Sequence, residues 1–273
     1  SIKERDEIIV PTITFIAPIN VVLYNNCSPI FMDVDNYGNI DPKKVIEFIT
    51  NQTVFKNGFT INKKTGKKIK AIILVHVFGN IVQINKIIRL CKKRNIKVIE
   101  DASESLGTYF ANKSRLSHSG TLGDIGCISF NANKIITTGA GGAILTNSKI
   151  MYDKLYYLST QAKNDPINFI HDEVGYNMRL NNISAAIGVS QFKSLNKILA
   201  KKKSIHDYYK KKLSKLKNFE ILTPPKYSKS NYWINLLKLK GFNSDKYKDD
   251  IIKIFFDNGI QVRPVWYPNH LQK

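Results

Sequence analysis

The sequence predicts an α/β fold, with a mostly parallel sheet flanked by helices and a partial smaller α+β domain at the carboxyl end. Three observations support this class. Short apolar runs recur without strict alternation, which is typical of strands that are buried on both faces. Stretches with helical spacing separate these runs, as expected for βα units. From about Ser214 this alternation gives way to FEILTP, YWINLLKLKG and GIQVRPVWYP.

Six segments are predicted to form the strands of the sheet, and most are rich in isoleucine and valine. They are residues 7–11, 29–35, 71–77, 97–101, 127–130 and 142–146. The polar stretch 51–70 contains NKKTGKK, so we expect a surface loop or a hairpin there.

Three helices lie between or after these strands. Asp41 and Pro42 open the first, because Asp is a preferred N-cap and proline suits the first helical position. The second is indicated by the spacing of Ile84, Ile87, Ile88 and Cys91. A long helix is predicted from Asn182, with one apolar stripe formed by Ile183, Ala186, Ile187, Phe192, Leu195 and Leu199.

The chain of 273 residues is long enough for a full core. Its hydrophobic content of 43% and charged content of 23% are typical of globular proteins. We expect a large α/β domain over residues 1–213 and an incomplete small domain over residues 214–273. A further helix is expected near Ile251, inside the small domain.

The net charge of +21 would attract any polyanion. The basic residues are nevertheless spread through the chain together with isoleucine and asparagine, as an AT-rich coding sequence produces. The tight clusters 201–203 and 210–212 lie on one helix-like stretch, where a solvated face is the usual explanation. Because no RNP-like, zinc-finger or helix-turn-helix signature accompanies them, we expect no nucleic-acid partner.

Prolines and threonines interrupt the apolar stretch 8–24, so no membrane association is expected, and no secretory signal opens the chain. The chain has three cysteines, Cys27, Cys91 and Cys127, which are widely spaced and form no CxxC motif. This usage suits a reducing compartment. We therefore expect a cytoplasmic protein, and we predict no metal site.

Lys134 stands between a predicted strand and a glycine-rich turn, in SFNANKIITTGAGG. A phosphate-binding P-loop needs its lysine after the glycines, and Ile144 occupies the place of the third glycine of a dinucleotide-binding fingerprint. Two explanations remain on spacing alone. Lys134 is either a surface lysine at the end of a strand or an amine that binds the aldehyde of pyridoxal 5'-phosphate (PLP).

Asp101 ends the predicted strand 97–101 in VIEDASESLG. Ligands of open α/β sheets gather at the carboxyl ends of the strands. A carboxylate there can keep the pyridine nitrogen of PLP protonated, although Asp101 could also cap the next helix. Together, Asp101 and Lys134 at two strand ends favour the cofactor explanation.

Seven blocks extend this pattern over essentially the whole chain. They are DEIIVPTITF, PIFMDVD, VHVFGN, VIEDASESLG, GDIGCISFNANKIITTGAGG, GYNMRLNNISAAIG and RPVWYPNH. In this order they resemble the DegT/DnrJ/StrS family of PLP-dependent nucleotide-sugar aminotransferases, which have the fold-type I architecture. The resemblance implies that Lys134 binds the cofactor aldehyde and moves the proton, and that Asp101 pairs with the pyridine nitrogen.

The remaining site residues are likewise implied by the resemblance. Phe15 would stack on the cofactor ring, with core packing as the alternative. Ser129 would bind the phosphate, and Asn177 would reach a phosphate across a dimer interface. Arg179 follows Asn177 closely and would contact the substrate or form a structural ion pair. His76 and His270 match positions near the substrate cleft.

The sequence departs from the family in several places. Glu104 stands where glutamine or histidine is usual, near the ring hydroxyl of the cofactor, and Ala140 stands where glutamate or glycine is frequent. Family members carry a further segment before the DEIIVP block, with a Gly-Thr pair that binds phosphate. We therefore expect a chain truncated at both ends, with an incomplete cofactor site.

The resemblance implies an aminotransferase that moves an amino group from L-glutamate to a 4-keto-6-deoxy nucleotide sugar. STQAKND, residues 159–165, is most similar to the subgroup acting on UDP-linked 4-keto-6-deoxy amino sugars, such as bacillosamine- and legionaminic-type precursors. A homodimer is also implied. The alternatives are a catalytically impaired fragment or scaffold, and a sugar 3-dehydratase, in which histidine replaces the lysine.

Overall fold

The computed structural model describes residues 2–112, 115–165, 167–241 and 247–272, and the backbone alone of residues 244–246. The strands are β1 (Glu7–Pro11), β2 (Ser28–Met32), β3 (Thr53–Lys56), β4 (Phe59–Asn62), β5 (Lys68–Val75), β6 (Lys97–Asp101), β7 (Tyr109–Asn112), β8 (Arg115–His118), β9 (Ile125–Ser129), β10 (Gly142–Leu145), β11 (Lys163–Asp165), β12 (Ile170–His171), β13 (Phe219–Ile221), β14 (Ser228–Lys229) and β15 (Leu237–Leu239). The helices are α1 (Ala17–Tyr24), α2 (Pro42–Asn51), α3 (Asn85–Lys93), α4 (Lys149–Ser159), α5 (Asn182–Lys193), α6 (Leu195–Leu213) and α7 (Ser244–Asp257).

The central sheet is mostly parallel, as predicted. Five parallel strands follow the spatial order β2-β1-β5-β6-β9, and β10 adds to β9 in the antiparallel direction. β3 and β4 form the expected hairpin, and β4 pairs with the start of β5. Because parallel strands end on the same side, Pro11, Val75, Asp101 and Ser129 lie along one border of the sheet. We call this border the carboxyl edge.

Both faces of the sheet are covered, which explains the continuous apolar runs. On one face, Ile9, Ile72 and Leu74 pack with residues of α2 and α3 such as Val45 and Ile87. The alternate residues, Ile8, Val10, Ala71, Ile73 and Val75, pack on the other face with Ile19 and Val22 of α1. The core therefore lies in two layers around the first strands of the sheet.

The predicted start of α2 is confirmed. Pro42 is its first residue, and the Asp41 side chain accepts a hydrogen bond from the Lys43 N–H at 2.7 Å. The predicted strand 71–77 is displaced, because β5 begins at Lys68 and ends at Val75. Residues 77–79 form a tight turn instead, in which Phe78 has a φ of +58°.

The single long helix predicted from Asn182 is wrong. The chain forms α5 and α6 with a break at Ser194, and no residue of α5 is buried. Ile183 is 78% exposed, whereas Leu195 and Leu199 of α6 pack against a small apolar cluster. An apolar stripe on a helix predicts a face that packs against other residues. In the described part of this chain, no element packs over the apolar face of α5.

The carboxyl-terminal region contains β13 paired antiparallel with β15, followed by α7. Its middle segment returns to the large domain, because β14 pairs with β7. The Ser230 hydroxyl donates a hydrogen bond to the carbonyl oxygen of Gly79 at 2.9 Å. The division at residues 213 and 214 stays a prediction, and these contacts join the two regions closely.

Among the described residues, no helix combines the length and apolar character that crossing a membrane requires.

Candidate active site

Lys134 lies in the loop that follows β9 at the carboxyl edge. The loop closes on itself, because the Phe130 N–H donates to the Gly141 carbonyl at 2.9 Å and the Thr138 N–H donates to the Phe130 carbonyl at 3.0 Å. Gly141 has a φ of +118°, which favours glycine. The Lys134 N–H donates to the Asn131 carbonyl at 3.0 Å. The glycines thus return the chain into β10 and leave the lysine at the edge.

The Lys134 ammonium lies over an indole ring. Its Nζ is 4.4 Å from the ring centroid of Trp233, within the range of cation–π contacts. Trp233 is 8% exposed, and its Nε1 donates to the Asn133 carbonyl at 2.7 Å. The sequence analysis missed this residue. The chain has only two tryptophans, and that scarcity in a lysine-rich region is the signal that could have singled it out.

Asp101 is the last residue of β6, beside β9 in the sheet. Its Oδ1 accepts a hydrogen bond from the Ser103 N–H at 3.0 Å, so the carboxylate does cap the following turn. Its backbone carbonyl accepts from the His76 N–H at 3.0 Å. Oδ2 accepts no hydrogen bond from the described residues. The capping role and a ligand-binding role are therefore compatible in one carboxylate.

Glu104 is a buried carboxyl group close to both residues. Its Oε2 accepts a hydrogen bond from the Phe78 N–H at 2.7 Å. Burial raises the pKa of Glu104 to about 7, while the Phe78 hydrogen bond and the charge of Lys134 lower it and the charge of Asp101 raises it. Lys134 and Asp101 therefore act with opposite sign on the same carboxyl group.

Phe15 belongs to an aromatic surface at the carboxyl edge. It is 58% exposed, which argues against the core-packing alternative. Trp266 lies edge-on to it with 6.5 Å between the ring centroids. Trp266 also stacks on Phe78, at 4.8 Å between centroids and an interplanar angle of 21°. The aromatic ring of Phe15 is therefore available to a flat ligand.

The turn that carries Phe78 is held by a buried asparagine that the sequence analysis also missed. Gly79 has a φ of +84°, and a Cβ there would lie 2.0 Å from Asn231 Oδ1. Asn231 is fully buried, and its Nδ2 donates to the carbonyls of Glu104 at 2.8 Å and Leu106 at 2.9 Å. The carboxyl-terminal region thus supports two loops of the site.

His76 does not line an open cleft in this structure. Its side chain is fully buried, its Nδ1 accepts from the Val82 N–H at 3.3 Å, and its Nε2 donates to Glu100 Oε2 at 2.8 Å. Since both ring nitrogens are engaged, the imidazole has a structural role here. The predicted substrate contact of His76 therefore has no support from its position.

His270 is exposed near the carboxyl edge. Its Nδ1 pairs with the Thr12 hydroxyl, and its ring lies 6.1 Å from that of Phe31. Asn269 fastens the same segment to the loop before Phe15, because its Nδ2 donates to the Thr14 carbonyl at 2.7 Å. His270 thus borders the aromatic surface, and its substrate contact stays a prediction.

Ser129, Asn177 and Arg179 were expected to bind anionic groups. The Ser129 Oγ accepts from the Asn131 N–H at 3.2 Å at the end of β9. Asn177 and Arg179 are both exposed, and Arg179 makes no ion pair with any described residue. Ser129 lies at the carboxyl edge with Lys134, whereas the phosphate contact of Asn177 depends on a partner subunit. These three roles stay predictions.

Within the described ranges, no group of three His, Cys, Asp or Glu residues could hold a metal ion.

Comparison with known proteins decides the family. The model of the DegT/DnrJ/EryC1/StrS aminotransferase family matches residues 1–273. The chain belongs to this family.

Two curated relatives illustrate the similarity. GDP-perosamine synthase of Escherichia coli O157:H7 is 35% identical over 269 residues, which are 98% of this chain and 67% of that protein. UDP-4-amino-4,6-dideoxy-N-acetyl-beta-L-altrosamine transaminase of Campylobacter jejuni (subsp. jejuni serotype O:23/36, strain 81-176) is 33% identical over 232 residues, 84% of this chain and 57% of that protein. The chain therefore spans two thirds or less of the length of these relatives.

A solved structure shares the fold. GDP-4-keto-6-deoxy-D-mannose-3-dehydratase of E. coli, solved with bound hydrated PLP, has a TM-score of 0.81 and 25% identity, covering 99% of this chain and 68% of that chain. PLP is the cofactor of the DegT/DnrJ/EryC1/StrS aminotransferases.

The residues at the carboxyl edge fit PLP chemically. Lys134 supplies a primary amine for an aldehyde, and Asp101 a carboxylate for a ring nitrogen. Glu104 supplies a second carboxyl group and Ser129 a hydroxyl group. Phe15 offers an exposed ring face for stacking.

Proposed function

We propose that this chain catalyses the PLP-dependent transfer of an amino group from L-glutamate to a 4-keto-6-deoxy nucleotide sugar. One observation carries the proposal. Asp101 ends β6 and Lys134 lies in the loop after the neighbouring strand β9, and the charges of both residues act on the pKa of the Glu104 carboxyl. That constellation, in a member of this aminotransferase family, supports amino transfer.

When bound, PLP supplies the electron sink for the carbanion that forms at the reacting carbon. Lys134 would hold the aldehyde carbon through its Nζ. As a free, neutral amine it would carry the proton between the reacting carbon of the donor or sugar and the former aldehyde carbon of the cofactor. Asp101 would supply the carboxylate that keeps a proton on the ring nitrogen.

The other residues bind and orient. Phe15 would stack on the ring of the cofactor and restrict its tilt. The Ser129 hydroxyl would donate a hydrogen bond to the phosphate, and Asn177 would add a donor from the second subunit. Glu104 would bind the ring hydroxyl, and its raised pKa would let it donate a hydrogen bond near neutral pH.

The remaining parts of the proposal concern substrate, assembly and location. Arg179 and His270 are both exposed, and we assign to them the binding of the anionic diphosphate of a nucleotide sugar. A homodimer is supported by the exposed apolar side chains of α5. The free thiols Cys27, Cys91 and Cys127 suit a cytoplasmic location.

The proposal is tested by absorbance and by product analysis. Purified chain mixed with PLP should develop a visible band that borohydride abolishes, and Lys134→Ala should lose the band. With L-glutamate and a 4-keto-6-deoxy nucleotide sugar, the product should carry a new amino group at C4.

Lys149→Ala is the matched control, since Lys149 is exposed on α4 and pairs there with Asp153. It should keep both the band and the activity. A band that survives in Lys134→Ala would reject the assigned lysine. A 3-deoxy product without nitrogen would favour the dehydratase alternative, and cofactor binding without turnover would favour an impaired fragment.

A further inference from the structure

We propose that Trp233 is a positioning residue for Lys134, whose Nζ rests on the indole face whenever the amine is free and protonated. This inference rests on the proposed function of Lys134. The primary observation is the distance of 4.4 Å between Nζ and the ring centroid. Cation–π contacts strengthen when water is excluded, and Trp233 is only 8% exposed.

Three hydrogen bonds hold Trp233, one at its ring and two at its backbone, so the indole offers a face in a defined place. Its Nε1 donates to the carbonyl of Asn133, the residue next to Lys134, at 2.7 Å. Its backbone N–H donates to Asn231 Oδ1 at 2.9 Å, and its carbonyl accepts from Lys202 Nζ at 3.0 Å. The ring is therefore linked directly to the loop that carries Lys134.

A defined resting place matters because a carboxyl group competes with the indole for the lysine. The four-carbon stem of lysine is flexible, and the charge of Lys134 interacts with the Glu104 carboxyl. An ion pair with that carboxylate would have to be broken before the amine could react. The indole face attracts the ammonium without accepting a conventional hydrogen bond, so the amine is held in place and remains easy to release.

The first test measures the reactivity of Lys134 itself rather than turnover. The full chain, freed of cofactor, is trace-labelled with acetic anhydride, and the acetylation rate of each lysine is read by peptide mass spectrometry. Trp233→Leu should speed acetylation of Lys134 by about two- to tenfold, the size expected for a lost cation–π contact. Trp233→Phe keeps an aromatic face and should restore most of the protection.

Lys202 is the internal control, because it binds the backbone carbonyl of Trp233 and not the ring. Its acetylation should be the same in all three proteins. Equal labelling of Lys134 in the original chain and in Trp233→Leu would overturn the proposal. Equal acceleration in the Phe and Leu variants would also overturn it, because the Nε1 hydrogen bond would then be the feature that matters.

A second measurement leaves Trp233 unchanged, so it does not depend on how that variant folds. In a Trp266→Phe background, Trp233 is the only tryptophan, since the chain has two. Lys134→Met should then change the fluorescence intensity of Trp233, whereas Lys154→Met on α4 should leave it unchanged. An unchanged intensity with Lys134→Met would overturn the proposal, even if PLP binding and amino transfer are established.

Discussion

Glu104 carries a carboxyl group whose ionisation is opposed by its surroundings. Burial raises its pKa from 4.5 to about 7, although the Phe78 hydrogen bond and Lys134 favour the charged form. Between these two pH values the folded chain binds more protons here than the unfolded chain does. The carboxyl therefore lowers the free energy of unfolding progressively as the pH rises from about 4.5 to about 7.

Glu104→Gln should remove this pH dependence. The amide is neutral and can still accept the Phe78 N–H, so we expect the cofactor-free variant to be about 1–4 kcal/mol more stable at about pH 8. The gain should shrink towards zero near pH 5, where the original carboxyl is protonated in the folded state. Urea unfolding across this pH range measures both.

Glu47→Gln on the exposed side of α2 is the control and should shift neither curve. If the stability of Glu104→Gln parallels that of the original chain at every pH, Glu104 does not ionise with a raised pKa.

At the scale of elements, the Glu100 carboxylate holds the loop before β9 through hydrogen bonds. Glu100 Oε1 accepts from the N–H groups of Leu122 at 2.6 Å and Gly123 at 2.5 Å. Its Oε2 accepts from Gly120 at 2.9 Å and His76 Nε2 at 2.8 Å. Burial by itself would raise the pKa of Glu100, but the hydrogen bonds from His76, Gly123 and Gly120 lower it overall.

Glu100→Gln should therefore destabilise the chain strongly. Glutamine replaces one acceptor oxygen by an NH2 group, which would face donors that have no other partner. We expect a loss of about 3–5 kcal/mol in the free energy of unfolding, measured in urea. Because the pKa of Glu100 is lowered, its contribution is present above about pH 4.5 and is lost as the pH falls further.

Glu220→Gln is the matched control on β13, where Glu220 forms an exposed ion pair with Lys240 at 2.7 Å. It should change the stability by less than about 1 kcal/mol. Similar costs for the two variants would show that the loop before β9 does not depend on Glu100.

Within the described residues, α4, α5 and the segment between them expose large apolar side chains. They are Ile150, Ile167, Val174, Ile183, Val189 and Phe192, each more than 60% exposed. Large contiguous apolar areas mark interfaces, so we expect these side chains to be covered in an assembly. Ile183 and Phe192 belong to the apolar stripe that the sequence predicted.

Ile183→Glu should convert a dimer into a monomer without unfolding it. Ile183 contributes little to the described fold because it is 78% exposed, so the free energy of unfolding of the isolated chain should change by less than about 0.5 kcal/mol. Light scattering after size exclusion measures the mass at micromolar concentration. Asn196→Glu adds the same charge on α6 and should stay dimeric. A monomeric original chain would contradict the assembly.

The sequence predicted the parallel sheet because strands covered on both faces need unbroken apolar runs, and 7–11 and 97–101 are β1 and β6 at the predicted bounds. It also placed Lys134 and Asp101 at strand ends, since that placement follows from local order alone. Spacing along the chain did not point to Trp233 or Asn231. These residues reach the site from about 100 positions away in sequence, over the hydrogen bond that joins Trp233 to Asn133.

What the sequence by itself determined is therefore the order of the elements, the cap of α2 and the two ionisable residues at the ends of β6 and β9. Only the tertiary structure decided that His76 is buried and hydrogen-bonded to Glu100, that the apolar residues of α5 are exposed, and that an indole lies against Lys134. The physical reason is that spacing along the chain determines which residues share one face of a helix or strand. Which other residues pack on that face depends on contacts between segments that are distant in sequence.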